Sequence, residues 1–339
     1  MTMMSVESKL AGQLGYSTVP MNPPPAEKTS TVIQFSLTQG CSHNRCTFCS
    51  IYGKDNKYKV KKLPEFKKHV DSVLSHLKKN NRGDLSKISR IFLGAGNALS
   101  ANTSVLLEAS QYALKALQEA SHSKYEIPRR LAIYGNTHDI LKKGQNDMKL
   151  LHCGGTCEHC SIDSLGERRG VDVVYWGLES GNDDVLKIAG KGYTGNQASR
   201  AGMILNNVKT KISAMIMPGL GGKELSEGHV KDTVNLLNHI RPEWVTFIGL
   251  KVEPKTPYAR WIEREEAKKK NRSLTSAEVA EQTAQMIEGL DFETTIGLHG
   301  DDIHSYGYNP VTIGSVEVDG RYDSYKVADI IRKKAKKIF

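Results

Sequence analysis

An α/β fold built on a parallel sheet is what this 339-residue sequence predicts, and three observations carry the expectation. Six short apolar runs alternate with stretches of helical periodicity, the pattern of repeated βα units. Each run is apolar almost throughout instead of alternating with polar residues, as strands buried on both faces are. The chain is long enough for one barrel-sized domain with an extension.

Residues 1–30 are polar and proline-bearing, with Pro23, Pro24 and Pro25 in succession, and read as a loose arm or a short packing segment. Val32 to Leu37 is the first strand, and a cysteine loop follows it. Pro64 starts a helix with Phe66, Val70, Val73 and Leu77 at helical spacing, and Asn80, Asn81 and Gly83 end it. Ile88 to Leu93 is the second strand, followed by a helix carrying Leu106, Ala109, Ala113 and Leu117. Leu131 to Tyr134 and Val171 to Trp176 are the third and fourth, with a short helix near 145–152 between them. The fifth, Ile212 to Met217, leads to a helix capped by Ser226. Trp244 to Leu250 is the sixth. A charged helix then runs from Pro257 to Lys270, a second from Ser276 to Leu290, and a Gly- and His-rich segment precedes a terminal helix. The expected organisation is an arm at 1–30, a core at 31–257 with a cysteine-bearing insertion at 153–170, and an α-rich extension at 258–339.

Periodicity alone does not separate an open barrel from a doubly wound sheet, since both alternate strand and helix. Composition narrows the class of partner instead. Lys and Arg number 47 against 37 Asp and Glu, a net charge of +10, and a basic surface attracts polyanions whatever the fold. Part of the excess is local, with Lys54, Lys57, Lys59, Lys61, Lys62, Lys67 and Lys68 interleaved with Tyr52 and Tyr58, and this reads equally as a solvated helix face or a nucleic-acid surface. No apolar run approaches the ~18 residues of a membrane span, and Met1 to Ser30 lacks the pattern of a signal peptide, so a cytoplasmic location is expected.

All 6 cysteines fall in two tight triads, which favours metal ligation in a reducing compartment over a disulfide framework. Cys41, Cys46 and Cys49 sit directly after the first strand. Three thiolates fall short of the four protein ligands of closed tetrahedral zinc, but suit a four-iron cluster with one iron left open. A zinc knuckle or a group of buried thiols is the plainer reading.

With Gly40 before the first cysteine and Phe48 before the third, this loop resembles that of the radical S-adenosylmethionine (radical SAM) superfamily, and in particular the Elongator-type and methylthiotransferase-like cores. The spacing here is four residues and then two, where the superfamily usually has three and then two. The resemblance covers roughly residues 30–260 and implies a partial (β/α)6 barrel of TIM type. It implies a [4Fe-4S] cluster on Cys41, Cys46 and Cys49, binding of S-adenosyl-L-methionine at the open iron, reductive cleavage to a 5'-deoxyadenosyl radical, and hydrogen abstraction from a substrate. A low-potential electron donor of flavodoxin or ferredoxin type is the implied partner. The basic balance favours RNA as substrate over a peptide or small metabolite, although no RNA-binding module is recognisable.

Residues just after each strand are the candidate site in such barrels. Gly94-Ala95-Gly96-Asn97 stands where the superfamily has a Gly-Gly-Glu-like stretch for the methionyl amino group; Gly94 and Gly96 would let the backbone approach, and Asn97 would supply an acceptor. Read on its own it is a glycine turn. Gly177-Leu178-Glu179-Ser180-Gly181 matches a Gly-Leu-Glu-Ser-Gly stretch of one radical SAM subgroup, in which Glu179 and Ser180 would face the cofactor; the plainer reading is a helix cap. Met217 and Gly219 belong to a glycine-rich segment that in these families passes the adenine. Met217 and Glu224 stand where a phosphate-binding loop needs Gly and Ser or Thr, which excludes that class. Glu253 to Pro257 resembles a Pro-x-Thr-Pro turn.

Cys153, Cys157 and Cys160 have the three-then-two spacing, but they follow the third helix and precede the fourth strand. That connection lies on the opposite face from the strand C-termini, and a strand of ~5 residues spans about 17 Å. With His152 or His159 they are a second candidate metal site, for structural zinc or an auxiliary iron-sulfur cluster, or else carry unmetallated thiols. His299, Asp301, Asp302 and His304 form another polar cluster. The competing reading of the whole chain is a non-catalytic iron-sulfur or zinc protein that binds nucleic acid.

Overall fold

The computed structural model describes residues 24, 27, 31–51, 57–79, 85, 88–121, 130–155, 170–299, 317–318, 321–322, 328–329 and 331–333. In chain order its elements are β1 (Val32–Gly40), β2 (Lys59–Val60), α1 (Leu63–Lys79), β3 (Arg90–Gly96), α2 (Thr103–Ser121), β4 (Arg130–Gly135), α3 (Thr137–His152), β5 (Val173–Glu179), α4 (Asp183–Ile188), α5 (Gly195–Asn207), β6 (Lys211–Ile216), α6 (Ser226–Ile240), β7 (Trp244–Ile248), α7 (Pro257–Ala267), α8 (Ser276–Glu288), β8 (Thr295–His299), β9 (Glu317–Val318) and β10 (Arg321–Tyr322). The sheet runs β2-β1-β3-β4-β5-β6-β7-β8, the order of a partial TIM-type barrel, and β9 pairs with β10 separately.

Four elements differ from the sequence expectation. β8 pairs in parallel with β7, Trp244 opposite Thr295 through Ile248 opposite His299, within what reads as an α-rich extension. Five residues with a central glycine give too weak a strand signal; the open edge of β7 supplies the partner. Two-residue β2 pairs antiparallel with β1 and is too short to show any periodicity. α3 begins at Thr137, where Asn136 accepts from the Asp139 N–H at 2.9 Å, and Gly144 (φ 65°) interrupts it, which is why only its second half shows in the sequence. α6 is capped by Leu225 with no side-chain bond, because Ser226 Oγ instead accepts from Gln282 Nε2 at 2.7 Å.

The chain divides into two compact units, residues 1–42, 54–175 and 204–211, and residues 43–53, 176–203 and 212–339. In the first unit β1 is buried along nearly its whole length, and it runs parallel to β3 with Val32 opposite Arg90 and Ser36 opposite Gly94. The register then slips, so that Gly40 stands opposite Gly96. Four steps along β1 (36 to 40) meet two along β3 (94 to 96), a bulge that re-aims the strand's end. Main-chain groups at the irregularity are satisfied by buried side chains: His69 Nε2 accepts from the Ser36 N–H at 3.0 Å, and Lys61 Nζ donates to the Ser36 carbonyl at 2.6 Å.

At the other end of these strands Glu27 is fully buried. It pairs with Arg130, accepts from the Tyr175 hydroxyl at 2.7 Å, and lies 3.7 Å from Arg90. Arg90 and Arg130 open β3 and β4, so the Glu27 carboxylate sits at the strand N-termini. Burial, with the Glu27 charge added, pushes the Tyr175 phenol far up. Phe92, Tyr134 and Tyr175 stack edge to face beside it, at centroid distances of 5.0 to 6.2 Å.

In the second unit three helices begin on side-chain caps: Asn182 for α4, Thr256 for α7, and a Thr275–Glu278 capping box for α8. One apolar group in this unit joins Phe48, Val185, Ala189, Met217, Leu220, Tyr258 and Ile262, with Cys46 and Cys49 packed against it.

Candidate active site

Within the first unit the site begins at Gly40, whose φ of 72° lies where a side chain is disfavoured. That turn directs the chain off β1 into Cys41, which is half-buried. Gly96 serves the same turn: a Cβ there would lie 2.2 Å from the Gly40 carbonyl oxygen. A Cβ on Gly94 would meet Gln34 and Phe92 at 3.0 Å. Both glycines thus have packing reasons independent of any ligand.

Asn97 follows directly and is buried. Its Nδ2 donates to Ser42 Oγ at 3.0 Å and to the Asp139 carboxylate, while Oδ1 is closed to solvent and has no hydrogen-bond partner. Its carbonyl accepts from Ser100 Oγ, which in turn accepts from the Tyr58 hydroxyl. Burial pushes the Tyr58 phenol up against the pull of that hydrogen bond, and the charges at Asp139 and Cys41 add to the rise. Burial also pushes the Asp139 carboxyl up, opposed by the Asn97 hydrogen bond and by Lys143. Lys143 is pushed down by its own burial.

Within the second unit, the loop carrying Cys46 and Cys49 is sewn to the turn after α4. Thr47 N–H donates to the Ala189 carbonyl at 2.9 Å, Thr47 Oγ1 to that of Ile188 at 2.7 Å, and His43 Nε2 to that of Gly190 at 2.7 Å. Gly190 (φ 68°) allows the approach, since a Cβ would fall 2.6 Å from the Arg45 carbonyl oxygen. Phe48 is the loop's apolar anchor, 6% exposed in the group around Tyr258, and it fixes the residues on either side of it. Cys46 and Cys49 are half-buried.

The Gly177–Gly181 stretch has a physical reason at each position. Gly177 makes room for the Glu179 carboxylate, which a Cβ would meet at 2.9 Å; Leu178 is core; and Glu179 takes φ 64°. A Cβ on Gly181 would meet the Asp232 carbonyl oxygen in α6 at 2.3 Å. Glu179 Oε1 accepts from Lys191 Nζ at 3.2 Å, and Lys191 also donates to the Gly177 carbonyl at 2.8 Å. Burial works against the Lys191 charge, but Tyr193, Glu179 and Cys46 around it raise its pKa well above the ordinary value, so it stays an ammonium.

Ser180 is fully buried and faces α6. Its Oγ accepts from the Asn182 N–H at 3.0 Å and donates to His229 Nδ1 at 2.9 Å, while His229 Nε2 donates to the Met217 carbonyl at 3.1 Å. The hydroxyl expected to meet a cofactor is thus engaged with α6. Burial lowers the His229 pKa to about 4, consistent with the neutral tautomer these bonds require. Met217 N–H donates to the Glu179 carbonyl at 3.0 Å, and Gly219, at φ 90°, donates its N–H to Gln282 Oε1 at 2.7 Å.

Of the second triad, Cys153 is the C-terminal cap of α3, its N–H donating to the Lys149 carbonyl at 3.0 Å. His152 is buried, with Nδ1 3.1 Å from the Val171 carbonyl and 3.2 Å from Thr210 Oγ1. Cys157, His159, Cys160, Asp301, Asp302 and His304 lie outside the described residues.

No family model matches the sequence, and no curated protein matches it. Solved structures do. The cobalamin-dependent S-adenosylmethionine radical enzyme OxsB, with aqua-cobalamin and S-adenosylmethionine bound, matches with a TM-score of 0.53 at 15% identity, over 76% of this chain and 41% of its own. Its apo form matches at 0.52 and 16%, over 80% and 43%. The chain has the fold of the radical SAM enzymes. It spans about two fifths of the length of OxsB.

In barrels of this type the strand C-termini carry the site, and three cysteines on one loop are a donor set that suits a four-iron cluster with one iron left open. Cys41, Cys46 and Cys49 follow β1 in sequence, and within the first unit Asn97 Oδ1 is a buried acceptor with no hydrogen-bond partner. Among the described residues no three His, Cys, Asp or Glu side chains converge as a single metal ion needs; a four-iron cluster takes its thiolates on separate irons. No helix among the described residues is long and apolar enough to cross a membrane.

Sequence reasoning missed Lys191, Asp139 and His229. Asp139 had a signal, since Asn136-Thr137-His138-Asp139 is the polar turn after the third strand. Lys191 stands between two glycines, a weak cue. His229 sits mid-helix and had none.

Proposed function

We propose that this chain is a radical SAM enzyme in which Cys41, Cys46 and Cys49 hold a [4Fe-4S] cluster and the neighbouring strand ends bind S-adenosyl-L-methionine. The observation that supports it most is the trio of cysteines following β1 in a chain of this fold. Bound there, cluster and cofactor would supply reductive cleavage to a 5'-deoxyadenosyl radical. The chain's own residues bind and orient. Gly40 and Gly96 turn Cys41 off the sheet, and Phe48 pins Cys46 and Cys49 to a rigid apolar group. Lys191 sets a permanent ammonium near Cys46, suited to a carboxylate, and Glu179 offers the oxygen that Lys191 leaves over to a hydroxyl. Burial of these groups keeps water from the reacting carbon.

Anaerobic reconstitution with iron and sulfide, then dithionite and S-adenosyl-L-methionine, should give about four irons per chain and 5'-deoxyadenosine; Cys46→Ala should lose both. Full iron loading with neither cofactor binding nor cleavage would favour a non-catalytic iron-sulfur scaffold.

The substrate class we assign is RNA. Tyr58, 36% exposed, stands between Lys57 and Lys59 in sequence with Lys62 close by, all three lysines exposed and Lys59 3.4 Å from Glu65, a composition that suits base stacking with phosphate contacts.

A further inference from the structure

Helix α7 is bonded directly to the cysteine loop. Tyr258 N–H donates to the Thr47 carbonyl at 3.0 Å, and Tyr258 and Ile262 pack in the group around Phe48. The other face of α7 is exposed and carries Arg260, Arg264 and, one residue past the helix, Lys268. Positions four apart share a helix face, so these cations form one row, about 3, 9 and 15 Å along the axis from Tyr258. Exposed Lys269, Lys270 and Arg272 extend it.

Nothing local favours this row. Like charges four apart on a helix repel, and Arg260 lies in the first turn, where the macrodipole disfavours a cation. Arg260 Nη1 donates to the Lys255 carbonyl at 2.6 Å and Arg264 Nε to the Arg260 carbonyl at 2.9 Å; among the described residues neither has a carboxylate partner. Lys223, Lys268 and Arg272 of the same unit each have one. The acids of α7 are placed elsewhere: Glu265 pairs with Lys268, Glu266 accepts from the Ser273 N–H at 3.1 Å, and exposed Glu263 makes no ion pair among the described residues. An anion from outside the chain would offset the repulsion.

We infer that this face of α7 is a phosphate track for RNA, which holds the strand's backbone beside the cysteine loop. The row is linear, and the planar guanidinium groups of Arg260 and Arg264 match phosphate oxygens. A protein partner would ask for an apolar centre. Among the described residues the exposed large hydrophobics are Tyr58 and Met203, and neither is on α7. Contacts of this kind position the strand without reading its sequence. The inference rests on the RNA substrate proposed above and names a further surface for it.

The test titrates a labelled oligouridylate into the cluster-loaded full chain at several salt concentrations. Arg260→Gln with Arg264→Gln should lower the slope of log affinity against log salt by about 1.4, at ~0.7 per phosphate contact on a single strand, and weaken binding about tenfold or more near ~0.1 M salt. Arg260→Lys with Arg264→Lys keeps both charges and should keep the slope, which separates phosphate contact from a loss of fold. Arg241→Gln removes a cation that Asp291 already pairs and should leave the slope unchanged. A slope that survives the glutamine pair, or falls as far in the lysine pair, would overturn the inference and leave the RNA substrate standing. Polyglutamate that displaced the oligouridylate at equal charge concentration would mark a surface for an acidic protein and also overturn it. No binding of the oligouridylate by the loaded wild type would overturn both.

Discussion

Ser180 Oγ lies 2.9 Å from His229 Nδ1, and both side chains are wholly buried. Through this contact and the His229 bond to the Met217 carbonyl, α6 ties the chain leaving β5 to the chain leaving β6. The two strand ends that carry Glu179 and Met217 are therefore held by one imidazole.

That imidazole makes stability pH-dependent with a definite sign. Its folded pKa of about 4 lies below the ~6.5 of an unfolded histidine. The unfolded chain binds the extra proton between those values, so the contribution is fully present above pH ~6.5 and is lost as pH falls through 4. Its full size is about 3 kcal/mol. Urea denaturation of wild type and His229→Gln across pH 4 to 7 should show a shallower slope in the variant; equal slopes would mean that His229 is not the titrating group.

Lys191 and Glu179 are a buried ion pair, with 8% and 11% of their side chains exposed. Lys191→Met leaves the carboxylate without its partner and should cost about 3–5 kcal/mol, while Lys191→Met with Glu179→Leu should recover much of that loss. Chemical denaturation of the four proteins of the cycle gives the coupling energy. Additive losses would refute the pairing.

Gly96→Ala should be among the most damaging small substitutions in the first unit. Its methyl would sit 2.2 Å from backbone rather than from a flexible side chain, and relief requires moving the turn that carries Cys41. A cost of about 1–3 kcal/mol is expected, together with lower iron uptake on reconstitution. Gly144→Ala, where nothing lies within 4 Å, should leave iron uptake unchanged even though its φ of 65° strains it.

If RNA is the substrate, Tyr58→Ala should weaken its binding by about 1–3 kcal/mol at fixed salt, and Lys59→Ala or Lys62→Ala should each reduce the slope of log affinity against log salt by ~0.7–0.9. Titrating a labelled single strand at several salt concentrations measures both. Unchanged slopes would remove these lysines from the surface.

Much of the fold was legible because it rests on local pattern. The six apolar runs are strands in the structure, since a strand buried on both faces admits almost no polar residue. β8 was not legible, because five residues acquire strand character only from the edge of β7. The cysteine loop stood out through spacing, and Gly177–Gly181 through its residues. The packing around them was not legible: Gly96 and Gly181 lie against backbone, and Ser180 bonds a histidine 49 positions away.

The sequence by itself determined the alternation of strand and helix, the cysteine triad after the first strand and the basic balance, because each is written in residue type and spacing along one stretch. Tertiary structure decided which acceptor lacks a donor and which lysine lies near Cys46. Those are relations between side chains set by packing of elements far apart in the chain, and hydrogen-bond geometry, which resolves tenths of an ångström, has no counterpart in one-dimensional spacing.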